Sequence, residues 1–394
     1  MNNFEYFLGS KLIFNNDMKE GLKEAKAAVK AETAFLITDP GLEKLPNFAA
    51  VKQAMEEIGF KYKVYTNVRP LPKDYTIDDC AKAFEESGAD CMIAFGGGST
   101  LDTAKGAAII RSNGGKMRDY FGVNKVKEVP YPVIGIPTTA GSGAEVSRVI
   151  SVTDSQKNVK DQIMDRACCP AVALYVPSVL KGSPKSVTTT AGIDALGHAV
   201  ESYLNVKGSP VTQAVSLKGA GMIFRNILAF VNDTANEEAA ANMQIGSTLG
   251  IMGAGFTGNI DGHCVARSVG GSGDINHGAA VAVALPYCME FNLNAATDKL
   301  ADLAREFGLA KDGMSEMELA QQAILGVQKI RDDLGLCGNY KDLGMKLDNL
   351  DAMVERSVYF SQNGSDAYAS PGNPTFDDFK KMYMDGYNGR IINF

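Results

Sequence analysis

The chain has 394 residues, 45% hydrophobic and 22% charged, with a formal net charge of -7 and a pI near 5.2. That length allows two domains with sizeable cores. The mildly acidic balance argues against nucleic acid or an anionic membrane as the main partner, while leaving room for local pockets that take a small anion.

The first half alternates strand and helix. Residues 34–39 (AFLITD) form an apolar run ending in Asp39, and 47–59 (NFAAVKQAMEEIG) has helical spacing with a glycine stop. Residues 61–66 alternate as a strand, and 76–88 read as a helix opened by a Thr-x-x-Asp cap signal. Buried strands follow at 91–96 and 131–139, with an exit strand over 172–180. This β-α order predicts an α/β domain with a Rossmann-like parallel sheet and helices on both faces. Beyond residue 186 the long strands stop. Helices are predicted over 186–204, 209–233, 236–258, 296–309, 315–336 and 375–387. The expected division is therefore 1–186 for nucleotide binding and 187–394 for an all-helical metal- and substrate-binding domain.

Seven cysteines occur, Cys80, Cys91, Cys168, Cys169, Cys264, Cys288 and Cys337, odd in number and without a C-x-x-C pair. They read as free thiols of a reducing cytosol. The start, MNNFEYFLGSKLIF, lacks the basic and apolar segments of a signal peptide. No apolar run is expected to reach the roughly 20 residues that span a bilayer. The chain is expected to be cytoplasmic.

Two glycine loops carry the nucleotide reading. FGGGSTLDTAK (95–105) follows a strand and opens a helix, yet matches neither G-x-G-x-x-G nor a Walker A loop. Ser99 is expected to cap that helix, with Asp102 completing a capping box. Gly97 and Gly98 then let an anion approach the free helix N–H groups. PTTAGSGAE (137–145) ends a second strand and offers Thr138, Thr139 and Ser142. Both loops fall at the carboxyl edge of a parallel sheet, where such folds bind ligands, and two together favour a dinucleotide. Asp39 is placed to bond a ribose hydroxyl and repel a 2'-phosphate, favouring NAD over NADP; a plain turn before Pro40-Gly41 is the alternative.

All three histidines, His198, His263 and His277, lie in the helical half. Asp194 and His198 are i and i+4, on one face of one helix. One carboxylate and three imidazoles suit a divalent transition metal with room left for a substrate oxygen. The pairs Gly262-His263 and His277-Gly278 are read as allowing close approach of backbone to a bound ligand.

In combination, GGGSTLDTAK, PTTAGSGAEVS, AGIDALGHAVESY, the Gly-His pair at 262–263 and NHGAAVAVALPY resemble the iron-dependent (group III) alcohol dehydrogenases over essentially the whole chain. The resemblance implies a Rossmann-like domain, a helical domain of the dehydroquinate synthase-like type, and a cleft between them. It implies Asp194, His198, His263 and His277 as ligands of Fe2+, with Zn2+ or Mn2+ as alternatives, acting in catalysis through that metal. NAD(H) is expected to contact Asp39, Gly97, Gly98, Ser99, Asp102, Thr138, Thr139, Ser142 and Lys160. The expected reaction is hydride transfer between NADH and a small aldehyde. A homodimer through the strand near Lys11–Asn15 is also implied.

Two departures bear on the substrate. Where many relatives have a histidine four residues after the ligand matched by His263, this chain has Arg267. Arginine stays protonated, so it is a poor proton shuttle. It is read as binding an anionic substrate tail, as in sulfoacetaldehyde or succinic semialdehyde, or as pairing with Asp261 or Asp274. Within DAYASPGNPT (366–375), Thr375 replaces an arginine common among relatives. The alternatives are a neutral alcohol or diol substrate (butanol, 1,3-propanediol or lactaldehyde type), a zinc-holding glycerol-dehydrogenase-like or dehydroquinate-synthase-like enzyme, and a non-catalytic filament-forming protein. The full ligand set favours an enzyme.

Overall fold

The computed structural model describes residues 3–157, 159–270, 275–362 and 369–394. The chain divides into two compact units, Phe7–Ser183, and Met1–Tyr6 with Pro184–Phe394.

The first unit runs β1 (Lys11–Phe14), α1 (Met18–Val29), β2 (Thr33–Ile37), α2 (Pro46–Glu57), β3 (Lys61–Tyr65), α3 (Asp74–Ser87), β4 (Cys91–Gly96), α4 (Gly98–Asn113), β5 (Gly122–Val123), β6 (Val133–Pro137), β7 (Val149–Asp154), β8 (Val159–Met164) and β9 (Val172–Tyr175). Six of these strands form one parallel sheet in the order β1-β9-β6-β4-β2-β3. The period of two splits its side chains between the faces. Phe35 and Ile37 pack with Ile77, Phe84 and Leu101 from α3 and α4. Ala34 and Leu36 pack with Leu22, Phe48 and Met55 from α1 and α2. Burying Phe48 fully contributes roughly 1.5–3 kcal/mol. The chain passes outward from β2 to β3 and resumes on the other side at β4. The topological switch point therefore lies between β2 and β4, where such sheets bind ligands.

Four features of this unit differ from the sequence expectation. Helix α1 was not predicted, although Asp17 caps it by accepting from the N–H groups of Lys19 and Glu20. The antiparallel pair β7–β8, joined by β5 in a second small sheet, was also missed. Helix α3 begins at Asp74, ahead of the Thr-x-x-Asp signal, and Thr76 instead donates back to the Lys73 carbonyl at 2.7 Å. The exit strand stops at Tyr175 and gives way to a 3-10 turn over Pro177–Leu180.

The second unit contains α5 (Lys185–Leu204), α6 (Pro210–Asn232), α7 (Glu237–Thr257), α8 (Asp261–Gly270), α9 (His277–Phe291), α10 (Thr297–Phe307), α11 (Glu316–Asp333), α12 (Leu350–Gln362) and α13 (Phe376–Asn388). Helices α8, α9 and α12 were not predicted. Helix α8 is short and begins Asp-Gly-His, while α9 holds Pro286 within it. Both are helix-breaking signals that burial overrides. Contrary to expectation, α6 is long and apolar enough to cross a membrane by length and composition alone. It packs against α5, α7, α10 and α11, as a core helix does. Tyr6 joins this unit by packing its ring, tilted, against Phe256, with ring centroids 4.5 Å apart. All seven cysteines are free.

Candidate metal and nucleotide sites

Helix α5 places Asp194, His198 and Glu201 at i, i+4 and i+7, on one face. Helix α8 presents His263 in its first turn, and α9 opens on His277 with Asn276 as its cap. Ligand atoms of Asp194, His263 and His277 all lie within 4.8 Å of one another. Asp194 Oδ1 is 3.5 Å from Nε2 of His263 and 3.5 Å from Nε2 of His277. The His198 ring stacks on His263 with centroids 4.6 Å apart. All four sequence-predicted ligands therefore converge, three of them as a tight set.

The convergence is chemically unusual. Asp194 Oδ1, His198 Nδ1 and His263 Nε2 are buried and have no hydrogen-bond partner. Leaving buried polar atoms unpaired costs about 1–3 kcal/mol each, so such a cluster calls for a ligand. Two donors each about 2.1 Å from one tetrahedral ion lie about 3.4 Å apart, close to the spacing seen. A divalent cation fits the donor set. The electrostatics agree. Burial opposes ionisation of Asp194, but His198, His277 and His263 outweigh it and hold its carboxyl well below the usual range. Burial pulls the His198 imidazole down to about 4, so it is neutral and free to ligate at neutral pH.

Apart from Lys160, the residues expected to hold the nucleotide follow three adjacent strands, β6, β4 and β2. Asp39 lies just beyond β2; its Oδ1 accepts from the N–H groups of Gly41 and Leu42 at 2.8 and 3.0 Å. The turn role and the ribose role are thus compatible, because Oδ2 stands outside the turn. Gly97, not Ser99, occupies the cap position of α4, and no side chain caps that helix. Nor does Asp102 complete a capping box: it is buried, and its Oδ2 accepts from the Ser151 N–H at 3.0 Å. The two glycine loops lie side by side. A methyl group on Gly98 would stand 2.8 Å from Ser142 Oγ, and one on Gly97 3.4 Å from Thr139 Oγ1. Together they leave a cradle that side chains at those positions would fill. Lys160 lies on β8, opposite Thr153.

Comparison with known proteins decides the family. The profile of the iron-containing alcohol dehydrogenases matches residues 9–177, and that of their C-terminal domain matches residues 188–386. The 1,3-propanediol dehydrogenase of Citrobacter freundii is 30% identical over 98% of this chain and 99% of its own length. The sulfoacetaldehyde reductase of Bilophila wadsworthia (strain 3_1_6) is 31% identical over 86% of this chain and 88% of its own. The structure of an alcohol dehydrogenase from Oenococcus oeni superposes with a TM-score of 0.91 at 29% identity, covering 98% of this chain and 100% of that one.

The chain belongs to the iron-containing alcohol dehydrogenase family. It is an oxidoreductase acting on alcohols and aldehydes, in a family that uses iron and NAD. Against that background, further residues acquire a role from their surroundings.

Glu201 is fully buried, and its Oε1 lies 2.6 Å from His263 Nδ1. Its Oε2 accepts from the backbone N–H groups of Ile260 and His263 at 2.8 and 3.1 Å. One carboxylate thus caps the start of α8 and fixes the His263 tautomer, with Nδ1–H donating to Glu201 and Nε2 turned to the ligand cluster. The i+7 spacing from Asp194 was the available signal.

Lys105 is buried and donates to the carbonyls of Ala144, Ser147 and Val149 at 3.1, 3.0 and 2.6 Å, and to Asp102 at 3.4 Å. It ties the helix after the first glycine loop to the second loop.

The glycines beside the histidines serve helix packing. A methyl on Gly262 would stand 2.6 Å from Glu201 Oε1, and one on Gly278 2.1 Å from the Thr190 carbonyl oxygen. Both glycines thus allow a close approach to α5.

Asp261 does not bond to Arg267. Its Oδ2 accepts from Asn292 Nδ2 and Ser370 Oγ, both at 2.8 Å. Burial pushes its carboxyl up to about 7. Asp274 lies outside the described residues, as do residues 363–368 of the tail. Thr375 has a structural use: with Asp378 it forms the capping box of α13.

Proposed function

We propose that this chain is a metal-dependent NAD(H) aldehyde reductase, acting reversibly as an alcohol dehydrogenase. The observation that carries the reading is the set of buried, unpartnered donors on Asp194, His198 and His263, with His277 at 3.5 Å from Asp194. We assign Asp194, His198, His263 and His277 as ligands of Fe2+. When bound, the metal supplies Lewis acidity to the carbonyl oxygen and the nicotinamide supplies the hydride. The chain's own residues set the stage. Asp194 lowers the charge of the site below that of three imidazoles alone. Glu201 keeps the His263 Nε2 lone pair turned inward. On the nucleotide side we assign Asp39, Gly97, Gly98, Ser99, Asp102, Thr138, Thr139, Ser142 and Lys160. The uncapped start of α4 favours the pyrophosphate, and Asp102 acts there through Lys105 and Ser151.

Arg267 stands where a proton shuttle is absent, and a fixed cation one turn from His263 favours an anionic aldehyde. The relative that reduces sulfoacetaldehyde supports this choice. The propanediol dehydrogenase relative favours a neutral diol as the second reading. Exposed Leu12 and Phe14 on the edge strand β1 support a homodimer, and seven free thiols support a reducing, cytoplasmic setting.

The test is NADH oxidation with a panel of neutral and anionic aldehydes, after anaerobic purification and loading with Fe2+, alongside metal analysis by mass spectrometry. Turnover with an aldehyde of either class supports the reading. No turnover on any aldehyde overturns it, and native zinc without iron moves the assignment to the zinc relatives.

A further inference from the structure

Helix α5 and its closing residue present Asp194, His198, Glu201 and Asn205 in one row, spaced by four, three and four residues. The first two are assigned above to the metal. The last two face a different target, the connection between α7 and α8 over residues 258–260. The backbone turns there at Gly258, with a φ of 73°. Glu201 accepts from the N–H groups of Ile260 and His263. Asn205 takes the opposite polarity. Its Nδ2 donates to the carbonyls of Thr257 and Asn259 at 2.8 and 3.0 Å, with that of Gly258 at 3.4 Å. Asn205 is fully buried, and its own N–H donates to the Glu201 carbonyl at 3.0 Å. Its Oδ1 accepts from the Lys207 N–H at 2.8 Å, which fixes the end of the amide that faces the connection. Lys299 on α10 in turn donates to the carbonyls of Tyr203, Leu204 and Asn205 at 3.0, 3.2 and 3.3 Å, so this end of α5 is itself anchored.

We propose that Asn205 is a positioning residue of the metal centre: with Glu201 it fixes where α8 begins, and so where His263 stands relative to Asp194 and His198. His263 is the third residue of α8, and only three residues separate α8 from α7, so a shift of the connection reaches the ring directly. Held in place, His263 has Nε2 3.5 Å from Asp194 Oδ1 and its ring centroid 4.6 Å from that of His198. A bound divalent ion tolerates only about 0.2 Å of error in each ligand distance. Glu201 sets the rotation of the ring and holds the N–H side of the helix start. Asn205 holds the carbonyl side. Without it the buried carbonyls of Thr257 and Asn259 lose this donor, and the connection can pivot about the Glu201 contacts. One helix thus supplies two ligands and sets the position of a third. This inference rests on the ligand assignment above and deepens it.

The test loads the metal-free full chain with Co2+, whose visible absorption reports the geometry of its ligands. Affinity is measured by chelator competition in the parent, Asn205→Asp, Asn205→Ala and Asn205→Ser. Asn205→Asp keeps the shape but turns an oxygen toward the carbonyls, so affinity should fall about tenfold and the absorption bands should shift. Asn205→Ala should show the same loss. Asn205→Ser, which keeps one donor on a shorter arm, should recover part of it. Should the Asp and Ala variants fail to fold, the Ser variant decides by the same two readouts. Ser315→Ala, which removes the exposed cap of α11, is the control: it should lower the unfolding temperature and leave the cobalt spectrum unchanged. Parent-like affinity and bands in every folded Asn205 variant, whatever its unfolding temperature, would overturn the inference and leave Asn205 a brace of the fold alone. Failure of the parent to bind Co2+ overturns the ligand assignment instead.

Discussion

Glu201 holds His263 from two sides: Oε1 meets the ring at Nδ1, 2.6 Å away, and Oε2 accepts from the His263 backbone N–H at 3.1 Å. Side-chain orientation and helix start are thus set by one buried carboxylate. Its removal should affect both metal retention and folding. Glu201→Ala leaves the His263 ring and the Ile260 and His263 N–H groups without their acceptor, at a cost of roughly 2–5 kcal/mol. Glu201→Gln keeps the shape and weakens only the charge, and metal affinity should fall about 10- to 100-fold. Metal content after a graded chelator challenge checks the second effect, and thermal unfolding of the metal-free protein checks the first. Parent-like metal retention in Glu201→Gln would limit the carboxylate to bracing the helix.

Metal uptake should depend on pH through His263. In the metal-free protein burial draws the imidazole down, but Glu201 and Asp194 outweigh it and raise it to about 9. A group raised above its unfolded value stabilises the fold fully below about pH 6.5, and that contribution is lost as the pH rises through about 9. Metal binding needs the neutral ring, so it expels the same proton. Apparent metal affinity should rise by up to about tenfold per pH unit below about pH 9, then flatten. Calorimetry in two buffers of different ionisation heat should find about one proton released near neutral pH. Release of none would show that His263 is already neutral.

Lys105 is the second buried charge with a positional role. Lys105→Met keeps the aliphatic stem and removes the ammonium from Asp102 and three carbonyls. Destabilisation of roughly 3–5 kcal/mol is expected from leaving a buried carboxylate unpaired. At temperatures where the variant remains folded, NADH affinity measured by fluorescence titration should fall because the second glycine loop loses its anchor. Unaltered NADH affinity would mean that the loop is positioned without Lys105.

Two glycine substitutions should separate by the nature of what they meet. In Gly98→Ala the new methyl meets Ser142 Oγ, the end of a side chain that can turn away. Stability should change by less than about 1 kcal/mol, while NADH binding weakens because the cradle is filled. In Gly278→Ala the methyl meets the Thr190 carbonyl oxygen at 2.1 Å, which is helix backbone. A loss of several kcal/mol is expected, of the order of about 1–3 kcal/mol or more for overpacking, together with metal release from His277 next door. Equal unfolding temperatures for the two variants would contradict this account.

The sequence by itself determined whatever depends on order and local period. The alternation of apolar runs and helical spacing placed β2, β3, β4 and β6 and the parallel sheet that joins them. The i, i+4 spacing put Asp194 and His198 on one face of α5, and the glycine loops fell at strand ends. What the tertiary structure decided is which of these faces meet. Period within a helix says that Glu201 shares a face with Asp194, but only the packing of α8 against it makes Glu201 the partner of His263. The Ser99 cap failed for a related reason. A local rule offered Asp102 to its own helix start, and burial gave that carboxylate to Lys105 one turn on and to Ser151 on the distant strand β7. Phe360 carries no motif, and it meets Arg267 only because α12 lies on α8. Short-range geometry is written in neighbouring residues; contacts between distant segments follow from the burial of whole faces, which no local spacing encodes.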